Sequence, residues 1–406
     1  MTTGTATLSA ATRRSILLLS FATFSSMAVQ RVCDAMLPEL SRAFSVSLAQ
    51  AAQVVSVFAV VYGLAQLVYG PLGDRLSKFG LVTCGTLVCC VGCFVSVFAG
   101  SLELLVWARV MVALGAAAVI PLAMAWVGDT VAYELRQETL ARVGLGTTMG
   151  LVSGQLVGGF VTDAFGWRWA FAFLTLLFGV VACLLYADWR RQQAAPVVAS
   201  PNEPEVRVGF VAQALSILTG RWSRVVLFVA FVEGAAGFGA LAIWASHLHG
   251  KLGLSLTAAG AIVALFGLGG MLYMTVARRL IRRLGERGLA SLGGGLAGLA
   301  AMVLGLTPWW ELALPMSLLA GFGFFMFHNT LQANATQMAP TARGTGVSLF
   351  SAWLFLGQSV GVLLAASLSA LVGSGAVIAL GGGVLVALGT LFARALRRRD
   401  EWMQPA

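Results

Sequence analysis

Two carboxylates stand inside otherwise apolar runs of the chain: Asp34 in SSMAVQRVCDAMLPEL and Glu233 in VVLFVAFVEGAAGFGALAIW. Nearly all the rest of the 16 Asp and Glu fall in short polar breaks. A carboxylate in hydrocarbon costs at least about 2.5–3.5 kcal/mol, so one is kept there where it lines a polar cavity, pairs, or carries a proton. Two arginines share that setting. Arg31 lies one helical turn before Asp34 on the same face, and Arg109 is enclosed by LLVWARVMVALGAAAVIPLAMA. Farther along, GFFMFHNTLQANATQMAP holds His328 and Gln332 four residues apart, which puts both on one helix face, as in the wall of a polar cavity. Carboxylates and a histidine at membrane depth suit proton exchange, since burial favours a neutral carboxyl and a nearby cation favours a charged one. Two structural readings stand beside this one: Asp34 as half of a salt bridge with Arg31, and Arg109 as a packing cation bonded to carbonyls. His247 and His249 read as ordinary surface residues.

The elements that carry these residues are membrane helices. The chain of 406 residues is 59% hydrophobic and 10% charged, against roughly 25% charged in a soluble domain. Apolar runs near the roughly 20 residues a bilayer requires recur twelve times, at 16–42, 47–71, 80–100, 103–127, 140–162, 168–188, 223–246, 255–277, 288–307, 311–338, 344–372 and 374–394. With both termini cytoplasmic, only Arg42, Arg168 and Lys251 of the 26 Lys and Arg fall on the outer side; Arg31 and Arg109 are intramembrane and all others face inward. The net charge of +10 therefore reports topology and contact with anionic lipid, not nucleic acid. Arg13-Arg14 leads into a segment of full spanning length, so no cleavable signal is expected. All six cysteines lie within helices with no His or acid converging on them, as small packing residues do and metal ligands do not.

The longest polar stretch is mid-chain and contains RRQQAAPVVASPNEPEVRV. It divides the chain into a six-helix bundle at 1–188, a cytoplasmic linker at 189–222 and a second bundle at 223–406. Internal similarity supports the division. Gly154-Gln155-Leu156-Val157-Gly158 recurs as Gly357-Gln358-Ser359-Val360-Gly361, and Asp34 and Glu233 fall in the first helix of each half. Parallel repeats about a midplane site are a known plan for secondary transporters.

The turn between spans two and three, Gly70-Pro71-Leu72-Gly73-Asp74-Arg75-Leu76-Ser77-Lys78-Phe79-Gly80, is short enough to act as a latch, with glycines permitting the reversal. It resembles the signature loop of the major facilitator superfamily, keeping Gly70, Asp74, Arg75 and Lys78 and departing at Ser77 and Phe79. Arg109 followed by Gly115 resembles the fourth-helix arginine motif of proton-coupled facilitators, with Ala113 in place of a glycine. Gly146, Gly150, Gly154 and Gly158 resemble the antiporter motif of drug-efflux members, with Gln155 where a proline is usual. Their spacing of four is also that of a close helix-packing face. Asp34-Ala35-Met36-Leu37-Pro38 resembles the first-helix signature of twelve-span drug:proton antiporters.

The resemblance implies an all-α membrane protein of twelve transmembrane helices in two six-helix bundles related by pseudo-twofold symmetry. It further implies a proton-coupled transporter of the bacterial inner membrane, expected as a monomer among membrane lipids and exporting a small organic compound by antiport. Uptake or exchange of an organic anion bound by Arg31 and Arg109 is the rival within transport, and a non-transporting receptor the rival outside it. No phosphate loop, helical His pair or serine elbow points to an enzyme, and no cofactor is expected. Asp74 is expected against the start of span eleven near Gly344 and Thr345, where a helix N-terminus favours an anion.

Overall fold

The computed structural model describes residues 8–194, 210–339 and 342–399, apart from the side chains of Asp74, Tyr133, Glu134 and Val211. The first half comprises α1 (Ala10–Ala43), the single turn α2 (Leu48–Ala51) leading into α3 (Gln53–Arg75), α4 (Lys78–Val97), α5 (Leu102–Thr130), α6 (Tyr133–Phe165) and α7 (Trp167–Ala194). After a short helix α8 (Phe210–Thr219), the second half comprises α9 (Arg221–Glu233), a π-helical turn (Gly234–Gly239), α10 (Trp244–Leu252), α11 (Leu256–Leu306), α12 (Trp310–Gln337), α13 (Arg343–Val372) and α14 (Ser374–Ala395). Serines begin helices at the tight turns: Ser77, Ser101 and Ser255 each accept a backbone N–H from the first turn of the helix that follows. Gly166 and Gly373 end α6 and α13 at φ 94° and 85°, a region costly for any residue with a Cβ.

Ten of the described helices are long and apolar enough to cross a bilayer. The twelve expected spans map onto the fold because α11 makes two of them and α6, richer in polar residues, makes another. The stretch between spans eight and nine differs from expectation. Helix continues through Arg278–Arg287, and a kink at Gly285, φ 61°, separates the two legs of α11. Span seven also departs from a simple helix, since the π turn follows Glu233 directly. In the middle of the chain, α7 runs on to Ala194 and α8 packs on α13 and α9, so part of the 189–222 stretch is helical.

The glycine stripe of α6 lies along α1. A Cβ built on Gly146, Gly150, Gly154 or Gly158 would meet the carbonyl oxygen of Ser20, Phe24, Ala28 or Val32 respectively, far inside van der Waals contact. The second half repeats the device: Gly357 and Gly361 of α13 face the carbonyls of Phe231 and Ala235. Partners and glycines alike are offset by 203 residues, which sets the register of the repeat. In that register Glu233 corresponds to Gln30, and Asp34 to Gly237. The two acids are therefore one helical turn out of step, because packing of glycines on carbonyls, not the placing of carboxylates, aligns the halves.

The halves meet along α6 and α11, along α3 and α13, and where α1 touches α10. Gly63 of α3 comes against Ala352 and Phe355 of α13, and the Tyr62 ring stands edge-on to Phe355 at 4.6 Å between centroids. At one end of the α6/α11 seam, Asp163 caps the other half. Its Oδ1 accepts the backbone N–H of Leu256 at 3.2 Å and its Oδ2 accepts the Thr257 hydroxyl at 2.6 Å.

Candidate functional site

Asp34 is fully buried on α1, where the bulk of α6 covers it. Its Oδ2 accepts a hydrogen bond from Gln155 Nε2 at 3.0 Å and faces Arg31 Nη1 at 3.5 Å, while Oδ1 has no partner among the described residues. The helical spacing of three puts Arg31 on the same face as Asp34, as the sequence requires. Its guanidinium also lies 4.3 Å over the ring of Phe238, which belongs to the π turn of the other half.

Arg109 is placed differently. It is fully buried, donates Nη1 to Val29 O at 2.9 Å and Nε to Val54 O at 3.2 Å, and rests 4.1 Å over the Phe58 ring. These bonds tie α5 to α1 and α3. Arg31, not Arg109, is the cation paired with Asp34.

In the second half, Glu233 is fully buried and its Oε2 lies 3.1 Å from His328 Nδ1, with Oε1 left without a partner. The His328 ring stacks on Phe324 at 5.7 Å, 9° from parallel, and stands 6.4 Å from Phe238. Phe238 thus adjoins both clusters, with the Arg31 guanidinium over its ring and the His328 ring edge-on to it. Gln332, one turn beyond His328, is exposed and takes no part in the pair.

The residues expected to gate are dispersed. A Cβ on Gly70 would come 3.6 Å from Ser348 Oγ of α13, across the halves. Lys78 Nζ pairs with Asp129 Oδ2 within the first half, and Arg75 is exposed. The side chain of Asp74 lies outside the described residues. Of its expected neighbours, Thr345 donates its hydroxyl to Gln213 Oε1 of α8 at 2.7 Å.

Three residues that sequence reasoning passed over belong here. Gln155 was visible as a polar residue where a proline is usual; Phe238 and Asp163 gave no signal, because a phenylalanine in an apolar run and an acid at a helix end are both ordinary. One expectation is overturned. His247 is 1% exposed, with Nδ1 2.8 Å from Ser374 Oγ, because α10 turns it towards the start of α14; His249 is exposed.

The sequence that builds these two bundles is matched by a family profile. The profile of the Major Facilitator Superfamily covers residues 19–362. The chain is a member of that superfamily. This facilitator is 26% identical over 344 residues to the uncharacterized MFS-type transporter YceJ of Bacillus subtilis, a match spanning 82% of the chain and 83% of the relative. It is 24% identical over 255 residues to the uncharacterized MFS-type transporter YwfA of the same bacterium, 62% of the chain but only 60% of that relative. A chloramphenicol resistance protein of Pseudomonas aeruginosa is 28% identical over 280 residues, 66% of the chain and 62% of that protein. The fold superposes on the POT family transporter PepTSo with a TM-score of 0.77 at 16% identity, covering 96% of this facilitator and 98% of that chain.

Proposed function

We propose that this facilitator exports a small organic compound across the bacterial inner membrane in exchange for protons, with Asp34 as the proton-carrying group. The observation that carries the reading is a fully buried carboxylate with one oxygen held by Gln155 and near Arg31 and the other unpartnered. A carboxylate oxygen left without a partner at this depth is costly while the group is charged, and protonation of the carboxyl removes that cost. When Asp34 is charged, Arg31 is its counter-ion. When it takes up a proton, the attraction that holds the guanidinium to Asp34 is lost, and the contact with the Phe238 ring of the other half is what remains to Arg31. Glu233 and His328 face the same aromatic partition and complete a site shared between the bundles. Similarity to a protein named for chloramphenicol resistance favours outward transport of a drug-like compound.

The test is a solute screen in inverted membrane vesicles with an imposed pH gradient, repeated with Asp34→Asn. The amide is close to isosteric and cheaper to bury, so the variant should insert and fold, retain counterflow exchange, and lose gradient-driven accumulation. Driven accumulation by Asp34→Asn at the wild-type rate would remove Asp34 from the mechanism.

A second reading has its own support. Arg31 Nε and Nη1 and Arg109 Nη2 are buried without hydrogen-bond partners among the described residues, and guanidinium groups so placed suit a carboxylate or phosphate. Uptake or exchange of an organic anion follows if the same screen shows accumulation of anions alone, abolished by Arg31→Gln.

A further inference from the structure

We infer that Gln155 is a positioning residue for Asp34, and that it couples the proton on that carboxylate to the contact between the two halves. The inference rests on the reading of Asp34 as proton carrier. Its geometric basis is that one residue reaches both partners. The fully buried side chain donates Nε2 to Asp34 Oδ2 at 3.0 Å, while the backbone oxygen faces α11, where a Cβ built on Gly260 would lie 2.6 Å from it. The same stretch of α6 touches α11 on both sides of this point, through Val152 against Gly267 and Gly159 against Leu256. A displacement of the Gln155 backbone that carries its amide away from Asp34 is therefore also a displacement at the seam.

The chemistry of an amide suits the task. Towards a carboxylate it offers N–H, and towards a carboxylic acid it offers C=O, remaining neutral in both states. Gln155 Oε1 is buried and without a partner while Nε2 is engaged, so the acceptor is in reserve for the protonated acid. The proton binds a carboxylate oxygen of Asp34 and leaves from it; Gln155 gains and loses none. Among the described residues the charged and titratable groups around the carboxylate are Arg31 and Cys33 on α1 and Arg109 on α5; the guanidinium groups only donate, and a thiol donates and accepts weakly. Proline or an aliphatic residue at this position could do neither. The hydrogen bond to the charged form is the stronger of the two, so its removal favours protonation.

The experiment needs no substrate. Infrared difference spectra of the purified protein in detergent are titrated with pH, and the carboxyl band belonging to Asp34 is identified by its loss in Asp34→Asn. In Gln155→Leu the band should shift to higher frequency and its midpoint should rise by about one pH unit, tenfold in proton affinity, with Gln155→Asn returning part of the shift. Spin labels at the exposed positions Phe165 and Lys251, at the ends of α6 and α10, should report a pH-dependent distance in the wild type that Gln155→Leu abolishes. If Gln155→Leu does not fold, Gln155→Met takes its place. An unchanged band and midpoint in the folded variant overturn the inference and leave the proton-carrying role of Asp34 standing. Absence of any Asp34-dependent titrating band between about pH 4 and 10 removes that role, and this inference with it.

Discussion

Arg109 reaches the carbonyls of two neighbouring helices, and a guanidinium used in this way acts as a strut between α1 and α3. A hydrogen bond involving a charged group contributes about 1.5–3 kcal/mol. Arg109→Met should therefore lower the melting temperature in detergent and lose counterflow and driven transport together. Asp34→Asn should separate those two activities. An Arg109→Met variant that melts like the wild type and loses only proton-driven transport would restore Arg109 to a place beside Asp34. His247 shows the same lesson on the other half: a residue that looks peripheral in a linear reading is buried once its helix is packed.

Packing decides the next level. The contacts of α6 with α1 and of α13 with α9 and the π turn use glycine for close approach, at Gly150 against Phe24 O and at Gly357 against Phe231 O. An alanine in a helix gains about 1 kcal/mol of propensity over glycine, but overpacking a close contact costs about 1–3 kcal/mol, so the clash wins where a carbonyl stands opposite. Gly150→Ala and Gly357→Ala should each lower the melting temperature. Gly383→Ala in α14, where a Cβ would meet nothing within 4 Å, should leave it unchanged or raise it slightly. Equal effects at all three positions would mean that the stripes are not the contact that aligns the halves. The π turn is also a local matter with a distant consequence. The wider turn after Glu233 sets where Phe238 points, and it is Phe238 that Arg31 meets.

For the whole molecule, the seam between the bundles is what an alternating transporter must open and close. Asp163 holds one end of it by capping the start of α11. A carboxylate at a helix N-terminus contributes about 0.3–1 kcal/mol, so Asp163→Ala should shift the ratio of open to closed forms at that end up to about fivefold, read by distance labels across α6 and α11. A distribution unmoved by the substitution would show that the apolar seam alone keeps that end shut.

Much of this was legible in the linear chain. Composition and the recurrence of apolar runs determined an all-helical membrane protein of two bundles, because a bilayer imposes both length and hydrophobicity on whatever crosses it. The repeated Gly-Gln-x-Val-Gly marked a close-packing helix face in each half, since glycine every fourth residue admits a neighbouring backbone. The motifs and the intramembrane acids marked the residues of the candidate site. Which partners meet there across helices was decided by tertiary structure. Arg31 comes to Asp34 by its spacing of three on one helix, but only the rotation of α1 against α5 and α6 gives Asp34 the amide of Gln155 and leaves Arg109 to the carbonyls. Glu233 meets His328 across 95 residues of chain, and Phe238 joins the two clusters only because the π turn aims it there. Side-chain partners across helices depend on rotations of a fraction of a turn, which periodicity in one segment cannot specify.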